Sequence, residues 1–452
     1  MKIIIVGCGK VGYTLVEQLN KENHDIVVID EREDKVRSIT EELDALGIVG
    51  NGISYQTLLE ADIAHADLLI AVTGSDEQNL LCCVIAKKTG KCKTIARVRN
   101  PIYSQETTFL REELGLAMIM NPELASANEI ARIFQFPSAM KIDTFTKGRT
   151  ELMHFKVTAD CLLNGQELMK IRNHLNLNIL FCTVKREDEI FIPRGNFVFR
   201  EGDLVSFVAT PPNANAFFKK IGYDNGKVHS VMIVGGGTMS YYLAKRLLSV
   251  GINVKLICDD KTRCEELSEL LPEATLIFGD MTDQRLLLQE GIETVDGFAA
   301  LTGLDEENIL LSLFVKKVSS AKTVTKINRI NFSGVINTLP LDSVNYPRLH
   351  TADTILKYVR STSKSMGANM ENLYSIEDGK AEALEFYIKE DSKVTGIELS
   401  KMNIKKNVLV CSILRRNNVI FPGGSETIRV GDYVVIVQAG ERLNNINEIL
   451  ED

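Results

Sequence analysis

Tryptophan is absent from the chain, and proline and histidine are scarce, at 10 and 6 residues in 452. So little proline excludes a proline-rich, low-complexity organisation and fits an ordinary globular protein, with 45% hydrophobic and 25% charged residues. No apolar run approaches the ~20 residues that a membrane-spanning helix needs. The histidines show no HExxH or other ligand spacing and the nine cysteines contain no CxxC pair, so no metal site is expected. Several cysteines lie inside apolar runs, which fits reduced core thiols. Net charge is −8, which argues against a nucleic-acid partner. The opening residues read as a core strand rather than a signal sequence, so a cytosolic location is expected. The length suggests about three or four domains.

What is present is concentrated at the start. Ile3-Ile4-Ile5-Val6 is a short β-branched run, followed at once by Gly7-Cys8-Gly9-Lys10-Val11-Gly12 and an amphipathic stretch from Tyr13 to Leu19. A second apolar run, Ile26 to Ile29, ends in Asp30, 18 residues beyond Gly12. Strand, glycine turn, helix, strand and acid form the fingerprint of a dinucleotide-binding unit. Gly7 permits the tight turn, Gly9 lets a pyrophosphate approach, and Gly12 lets helix and strand lie close. The helix N-terminus offers free N–H groups to the phosphates, and Asp30 is placed to accept from ribose hydroxyls. It favours a free 2′-hydroxyl, and hence NAD(H) over NADP. Cys8 reads as a small side chain in a tight turn rather than a redox sensor.

The alternation continues. Strands are expected at Ala45 to Val49, Asp67 to Val72 (ending in Thr73-Gly74), Thr94 to Val98 (with Arg97 near its end) and Leu116 to Met120. Helices separate them, and Asn121-Pro122-Glu123 opens another that runs to about Phe136. Six strands separated by helices make a doubly wound parallel sheet, an α/β fold. Ligands of such sheets gather at the carboxyl ends of the strands, where Arg97 lies.

From about Phe145 the pattern becomes that of a small α+β unit. Its hairpin turns at Lys185-Arg186-Glu187-Asp188, and Glu201-Gly202-Asp203 leads into the strand Leu204 to Ala209. Thr210 to Val228, with Pro211-Pro212 and Asp224-Asn225-Gly226, reads as a linker.

The chain then begins again. Val231 to Val234 leads into Gly235-Gly236-Gly237-Thr238-Met239-Ser240; Thr302-Gly303 answers Thr73-Gly74, Lys326 answers Arg97, and Gly431-Asp432 answers Gly202-Asp203. The offset is 228 positions from Gly7 to Gly235 and 229 from Gly202 to Gly431. A register held through both lobes means that a whole two-domain module was duplicated. The expected domains are two Rossmann-like lobes, 1–140 and 229–368, each followed by a small lobe, 141–222 and 369–452.

The copies are unequal. Ser240 stands where Gly12 does, and Cys258 falls in the Asp30 slot with Asp259 one residue late. Side chains alternate across a strand, so a one-residue slip turns a carboxylate away. The first site is expected to bind a dinucleotide well, and the second to bind more weakly or to prefer a different adenine nucleotide.

This double module resembles the RCK (KTN) regulatory domains of potassium channels and transporters, and its tandem arrangement resembles the peripheral cytosolic subunit of the bacterial Trk potassium-uptake system. The resemblance covers essentially the whole chain. It is carried most specifically by the first glycine loop with Asp30, by Thr73-Gly74 followed by Asp76 and Asn79, and by Ile95-Ala96-Arg97-Val98-Arg99-Asn100-Pro101. It implies that Gly7 through Gly12, Asp30, Thr73, Gly74 and Arg97 hold NAD(H), with ATP or ADP as the other candidates. In the second half it implies Gly235, Gly236, Gly237, Thr238, Met239, Asp259, Thr302 and Gly303. It also implies a homo-oligomer (a dimer or tetrameric ring) at the inner face of the membrane, a Trk-type potassium-transporting membrane subunit as partner, and no catalysis. The alternative is an NAD-dependent oxidoreductase, which would need an acid/base and carbonyl-orienting groups. His154 and His174 in the first small unit have no histidine counterpart in the second.

Overall fold

A computed structural model describes residues 1–145, 149–175, 177–187, 189–223, 228–329, 333–336, 338–362, 370–376, 380–440, 443 and 445–451. Strands β1 (Lys2–Val6), β2 (Asp25–Asp30), β3 (Leu46–Val49), β4 (Leu68–Ala71), β5 (Lys93–Arg97) and β6 (Met118–Met120) form one sheet in the order β3-β2-β1-β4-β5-β6. All five pairings are parallel. Helices cross over between strands, and the order reverses between β1 and β4, which opens a crevice at the carboxyl ends of those strands. Ile3, Ile4 and Ile5 in β1 are fully buried, as a strand covered on both faces requires.

The first small lobe carries β7 (Lys141–Phe145), β8 (Thr150–Lys156), β9 (Ile179–Arg186), β10 (Glu189–Phe191) and β11 (Leu204–Ala209) in the antiparallel order β10-β9-β11-β8-β7. The stretch read as a linker is otherwise: Pro211–Lys220 is a helix. Both prolines sit in its first turn, where a missing N–H costs nothing, and Ala214, Phe217 and Phe218 are buried. Their i, i+3, i+4 spacing packs the helix onto the lobe's aromatic core, where Phe217 lies 4.5 Å from Phe207. Asp224-Asn225-Gly226 lies outside the described residues.

The second copy repeats the plan. Its parallel sheet has β12 (Ser230–Val234), β13 (Asn253–Cys258), β14 (Thr275–Phe278), β15 (Gly297–Ala300), β16 (Lys322–Lys326) and β17 (Ser343–Asn345), in the order β14-β13-β12-β15-β16-β17. Its small lobe has β18 (Met370–Ile376), β19 (Ala381–Tyr387), β20 (Val408–Arg415), β21 (Asn418–Ile420) and β22 (Tyr433–Ala439), in the order β18-β19-β22-β20-β21.

Two compact units result. One joins both parallel-sheet lobes (residues 1–131 and 229–356), and the other joins both small lobes (residues 132–228 and 357–452). Within the second unit the two small sheets share a buried cluster that includes Phe145, Leu152 and Cys182 from one copy and Ala383, Cys411 and Val435 from the other. Cys182 and Cys411, 229 positions apart, meet there with their sulfurs 3.4 Å apart. Among the described residues no helix is long and apolar enough to cross a membrane.

Candidate functional site

The first glycine loop is shaped by contacts that only glycine satisfies. Gly7 leaves β1 at φ +107°, and a Cβ there would meet the Thr73 nitrogen at 2.9 Å. A Cβ on Gly12 would collide with the Gly7 carbonyl oxygen and lie 3.1 Å from its carbon, so helix Lys10–Asn20 runs tight against the loop. Gly9 is the N-cap of that helix and offers no side-chain acceptor, and a Cβ on it would meet nothing. The first N–H groups of the helix therefore face open space, as an anion cradle requires.

Asp30 ends β2 beside this loop. One carboxylate oxygen accepts the Cys8 N–H at 2.8 Å and the other accepts the Arg32 N–H at 3.0 Å. Lys35 stands 4.0 Å away. Burial, then the Asp30 charge, pushes the Cys8 thiol up to about 12, so it stays protonated and unreactive at neutral pH.

The opposite wall is set by two buried side chains that sequence reading placed only within a motif. Asn79 is fully buried; its carbonyl oxygen accepts the Thr73 N–H at 2.8 Å, and its amide donates to the Arg97 carbonyl at 2.9 Å. Asp76 accepts the N–H groups of Arg99 (2.8 Å) and Asn100 (2.7 Å). Together they tie the end of β4 to the end of β5. The Arg97 guanidinium pairs with Glu123 at 3.0 Å, and burial lowers its pKa against the pull of Glu123. Arg97 Nε and a Glu123 carboxylate oxygen are buried without a hydrogen-bond partner. These two atoms and the open cradle at Gly9 fit a polar, phosphate-bearing ligand.

The second loop has the same skeleton. Gly235 turns at φ +127°, and Gly237 is the uncapped start of helix Thr238–Leu248. Asn308 bridges the Thr302 N–H (2.8 Å) and the Lys326 carbonyl (3.0 Å), and Asp305 accepts from Asn328 and Arg329. Ser240 is fully buried with its hydroxyl unpartnered. Pairing of Lys2 with Asp25 and of Ser230 with Asn253 puts Cys258 in register with Asp30. Asp259 follows the strand and is exposed, and Asp260 caps the next helix by accepting the Arg263 N–H at 3.1 Å.

Both loops open onto one cleft of about 1260 Å³. Gly9, Lys10, Val11, Thr73, Gly74 and Arg97 line it from the first copy. Gly236, Gly237, Thr238 and Met239 line it from the second. Gly7, Cys8, Gly12 and Gly235 are buried parts of the loops that do not line the cleft, while Thr302 is buried and Gly303 exposed. Sequence reading missed Glu123, Arg263 and Arg348, all of which line the cleft. The repeat register was the available signal for them. The lobes are also bonded to each other: the Tyr242 hydroxyl donates to the Arg99 carbonyl (2.9 Å) and accepts from Asn121 (3.0 Å), and His350 meets Glu129 at 2.5 Å.

Comparison with known proteins agrees with the duplication. The TrkA-N domain family matches residues 3–122 and 231–347, and the TrkA-C domain family matches 152–222 and 383–451. A Trk system potassium uptake protein TrkA homolog 1 of Methanosarcina mazei is 32% identical over 99% of each chain. The Trk system potassium uptake protein TrkA of Haemophilus influenzae is 30% identical over 99% of this chain and 98% of its own. Among solved structures, the GsuK channel bound to NAD superposes with TM-score 0.64 at 16% identity, covering 97% of this chain and 76% of that one.

Proposed function

Because the chain belongs to the TrkA family, with a tandem TrkA-N/TrkA-C organisation, we propose that this potassium-transport regulatory subunit senses an adenine nucleotide and gates a membrane pore accordingly. The observation that carries the reading is the shared cleft, with a glycine cradle on its first wall and Asp30 held beside that loop. NAD(H) fits that wall best. The uncapped helix start and Arg97 would take the pyrophosphate, and Asp30 would accept from a ribose whose 2′-hydroxyl is free. ATP or ADP would use the same cradle. The NAD bound by the GsuK channel belongs to a protein of the same fold.

The lobes are coupled through the Tyr242–Arg99 and His350–Glu129 contacts, so a ligand that spans or wedges the cleft changes the relative stability of two lobe arrangements. Its effect is bounded by its differential affinity: a shift from 1:99 to 99:1 takes about 5.5 kcal/mol. A homo-oligomer, dimeric or tetrameric, at the inner membrane face would hand that shift to a Trk-type pore subunit. No histidine stands among the described residues that line the cleft, which favours a switch over the oxidoreductase alternative.

The test is calorimetric titration of the full chain with NADH, NAD⁺, ATP and ADP, paired with potassium uptake by cells carrying the chain or an Asp30→Ala variant. Stoichiometric binding without substrate turnover, and uptake altered by the variant, is the expected result. Absence of any nucleotide binding, or uptake indifferent to deletion of the chain, overturns it.

A further inference from the structure

The two ribose ends of the cleft differ in a way that the shared skeleton does not require. In the first copy the acid and the cation occur together, Asp30 with Lys35 at 4.0 Å. In the second copy the same register positions hold Cys258 and Arg263. The acid is gone, yet the cation remains and has become a guanidinium. Arg263 leans over the loop: its Nε donates to the Gly236 carbonyl at 3.0 Å, and its Cγ would lie 3.4 Å from a Cβ on Gly236. Cys258 closes the same spot, 3.0 Å from that position. The neutral, buried thiol therefore replaces a carboxylate beside the place where an adenosine ribose meets a glycine loop of this kind, and the Arg263 guanidinium lies against that loop, with Nε on the Gly236 carbonyl and Nη1 on Glu266.

We infer that the second loop takes an adenine nucleotide carrying a phosphate on its 2′-hydroxyl, with Arg263 as the specificity-determining residue. The inference rests on the nucleotide-sensing reading of the cleft and sharpens it. A carboxylate at the Cys258 position would repel a 2′-phosphate, and its loss removes that repulsion. A guanidinium matches phosphate oxygens with two parallel donors, which a lysine ammonium does not. Three acids face the site as well. Glu266 accepts from Arg263 Nη1 at 2.8 Å, Asp260 caps the helix Lys261–Leu270, and Asp259 is exposed. Glu266 is 56% exposed as a side chain, so a phosphate can displace it at little cost, since surface ion pairs are worth about 0–1 kcal/mol. The two halves of the cleft would then report on different pools, one with and one without the 2′-phosphate.

The test uses the full chain. The first site is saturated with NAD⁺, and adenosine 2′,5′-bisphosphate is titrated in by calorimetry with ADP as control. The expected result is one further equivalent of the bisphosphate, bound at least tenfold more tightly than ADP and not displaced by NAD⁺. Arg263→Ala should weaken it at least tenfold while changing the NAD⁺ affinity of the first site less than threefold. Cys258→Asp should abolish bisphosphate binding. The inference is overturned if the bisphosphate competes with NAD⁺ for a single site, binds no better than ADP, or is unaffected by Arg263→Ala. Retained NAD⁺ binding without any bisphosphate binding overturns this inference alone. Loss of both overturns the nucleotide reading of the cleft as well.

Discussion

Serine in place of Gly12 would install in the first loop what the second loop carries as Ser240. The Cβ of residue 12 would fall inside the envelope of the Gly7 carbonyl oxygen and 3.1 Å from its carbon. The obstacle is backbone, so no side chain can rotate away. Helix Lys10–Asn20 would have to back off by roughly 1.5 Å, since unbonded carbon and oxygen sit about 3.3–3.6 Å apart even in close C–H···O contacts. Overpacking of this kind costs about 1–3 kcal/mol, whereas replacing a helical glycine returns only about 0.5 kcal/mol. The clash therefore wins. Displacing the helix start also moves the N–H groups that would meet a phosphate, each charge-assisted bond being worth about 1.5–3 kcal/mol. Gly12→Ser should thus lower the melting temperature by several degrees and weaken NADH at least tenfold, read by thermal melting and calorimetry on the full chain. Ser240→Gly should do little, because it removes a buried hydroxyl that has no hydrogen-bond partner. Gly12→Ser binding NADH within threefold of the parent, with an unchanged melting temperature, would refute the reasoning.

Asp30→Ala removes the acceptor of two loop N–H groups and the proposed ribose acceptor, so it should weaken NADH roughly 10–100-fold. Asp259→Ala should stay within threefold, and equal losses in a calorimetric comparison would sink the ranking of the two sites. Lys322 is pushed down to about 8 by burial, against the pull of Asp342. The unfolded chain holds that proton up to about 10.4, so this residue makes stability rise as pH climbs from about 8 to 10.4, by at most about 3 kcal/mol. Denaturation of the parent against Lys322→Met should show the difference changing across that window, and a flat difference from pH 7 to 10.5 counts against it. Asp203 binds Arg186 with both oxygens at 2.8 Å, whereas Arg415 holds Glu426 as well as Asp432. Asp203→Ala should therefore lower the denaturation midpoint more than Asp432→Ala, and the reverse order would show that Glu426 offers no substitute.

Much of the fold was legible because strand and helix periods differ and because the glycine turn has one geometrical use. Lys2–Val6 forms the strand expected of it, and the parallel order of six strands follows from the alternation. Misreading began where turn residues outvoted packing. Pro211-Pro212 looked like a linker, yet the phenylalanines at 217 and 218 drive the segment into a helix against the small lobe. Between β5 and β6 the chain forms two short helices, Pro101–Gln105 and Thr107–Glu113, split at Glu106. The two glycine loops were legible as strand-to-helix turns from spacing alone. Glu123, Arg263 and Arg348 were not, since a charged residue in the first turn of a helix is usually solvated surface, and only comparison of the two copies in register marks these positions.

The internal repeat separates framework from specificity. Asn79 and Asn308 make the same bridge, Asp76 and Asp305 accept the same pair of N–H groups, and the Arg186–Asp203 and Arg415–Asp432 forks coincide. Each of these carboxylates and amides is buried, and removing it would leave buried donors unpaired, so the second copy could not lose it and keep the fold. The positions that differ are of another kind. Lys10 against Thr238, Lys35 against Arg263, Arg99 against Asn328 and Glu123 against Arg348 line the cleft, and Asp30 and Cys258 hold one register position beside the loops. A duplicated lobe that had merely decayed would lose charge at such positions. Here charge is both lost and exchanged: Lys10 and Arg99 give way to the neutral Thr238 and Asn328, whereas a cation stays at 263 after the acid is lost at 258 and an arginine stands at 348 where its twin has a glutamate. Buried hydrogen bonds thus hold the framework of both copies alike, while the charges of the cleft wall, which support no buried partner of the fold, are free to differ between them.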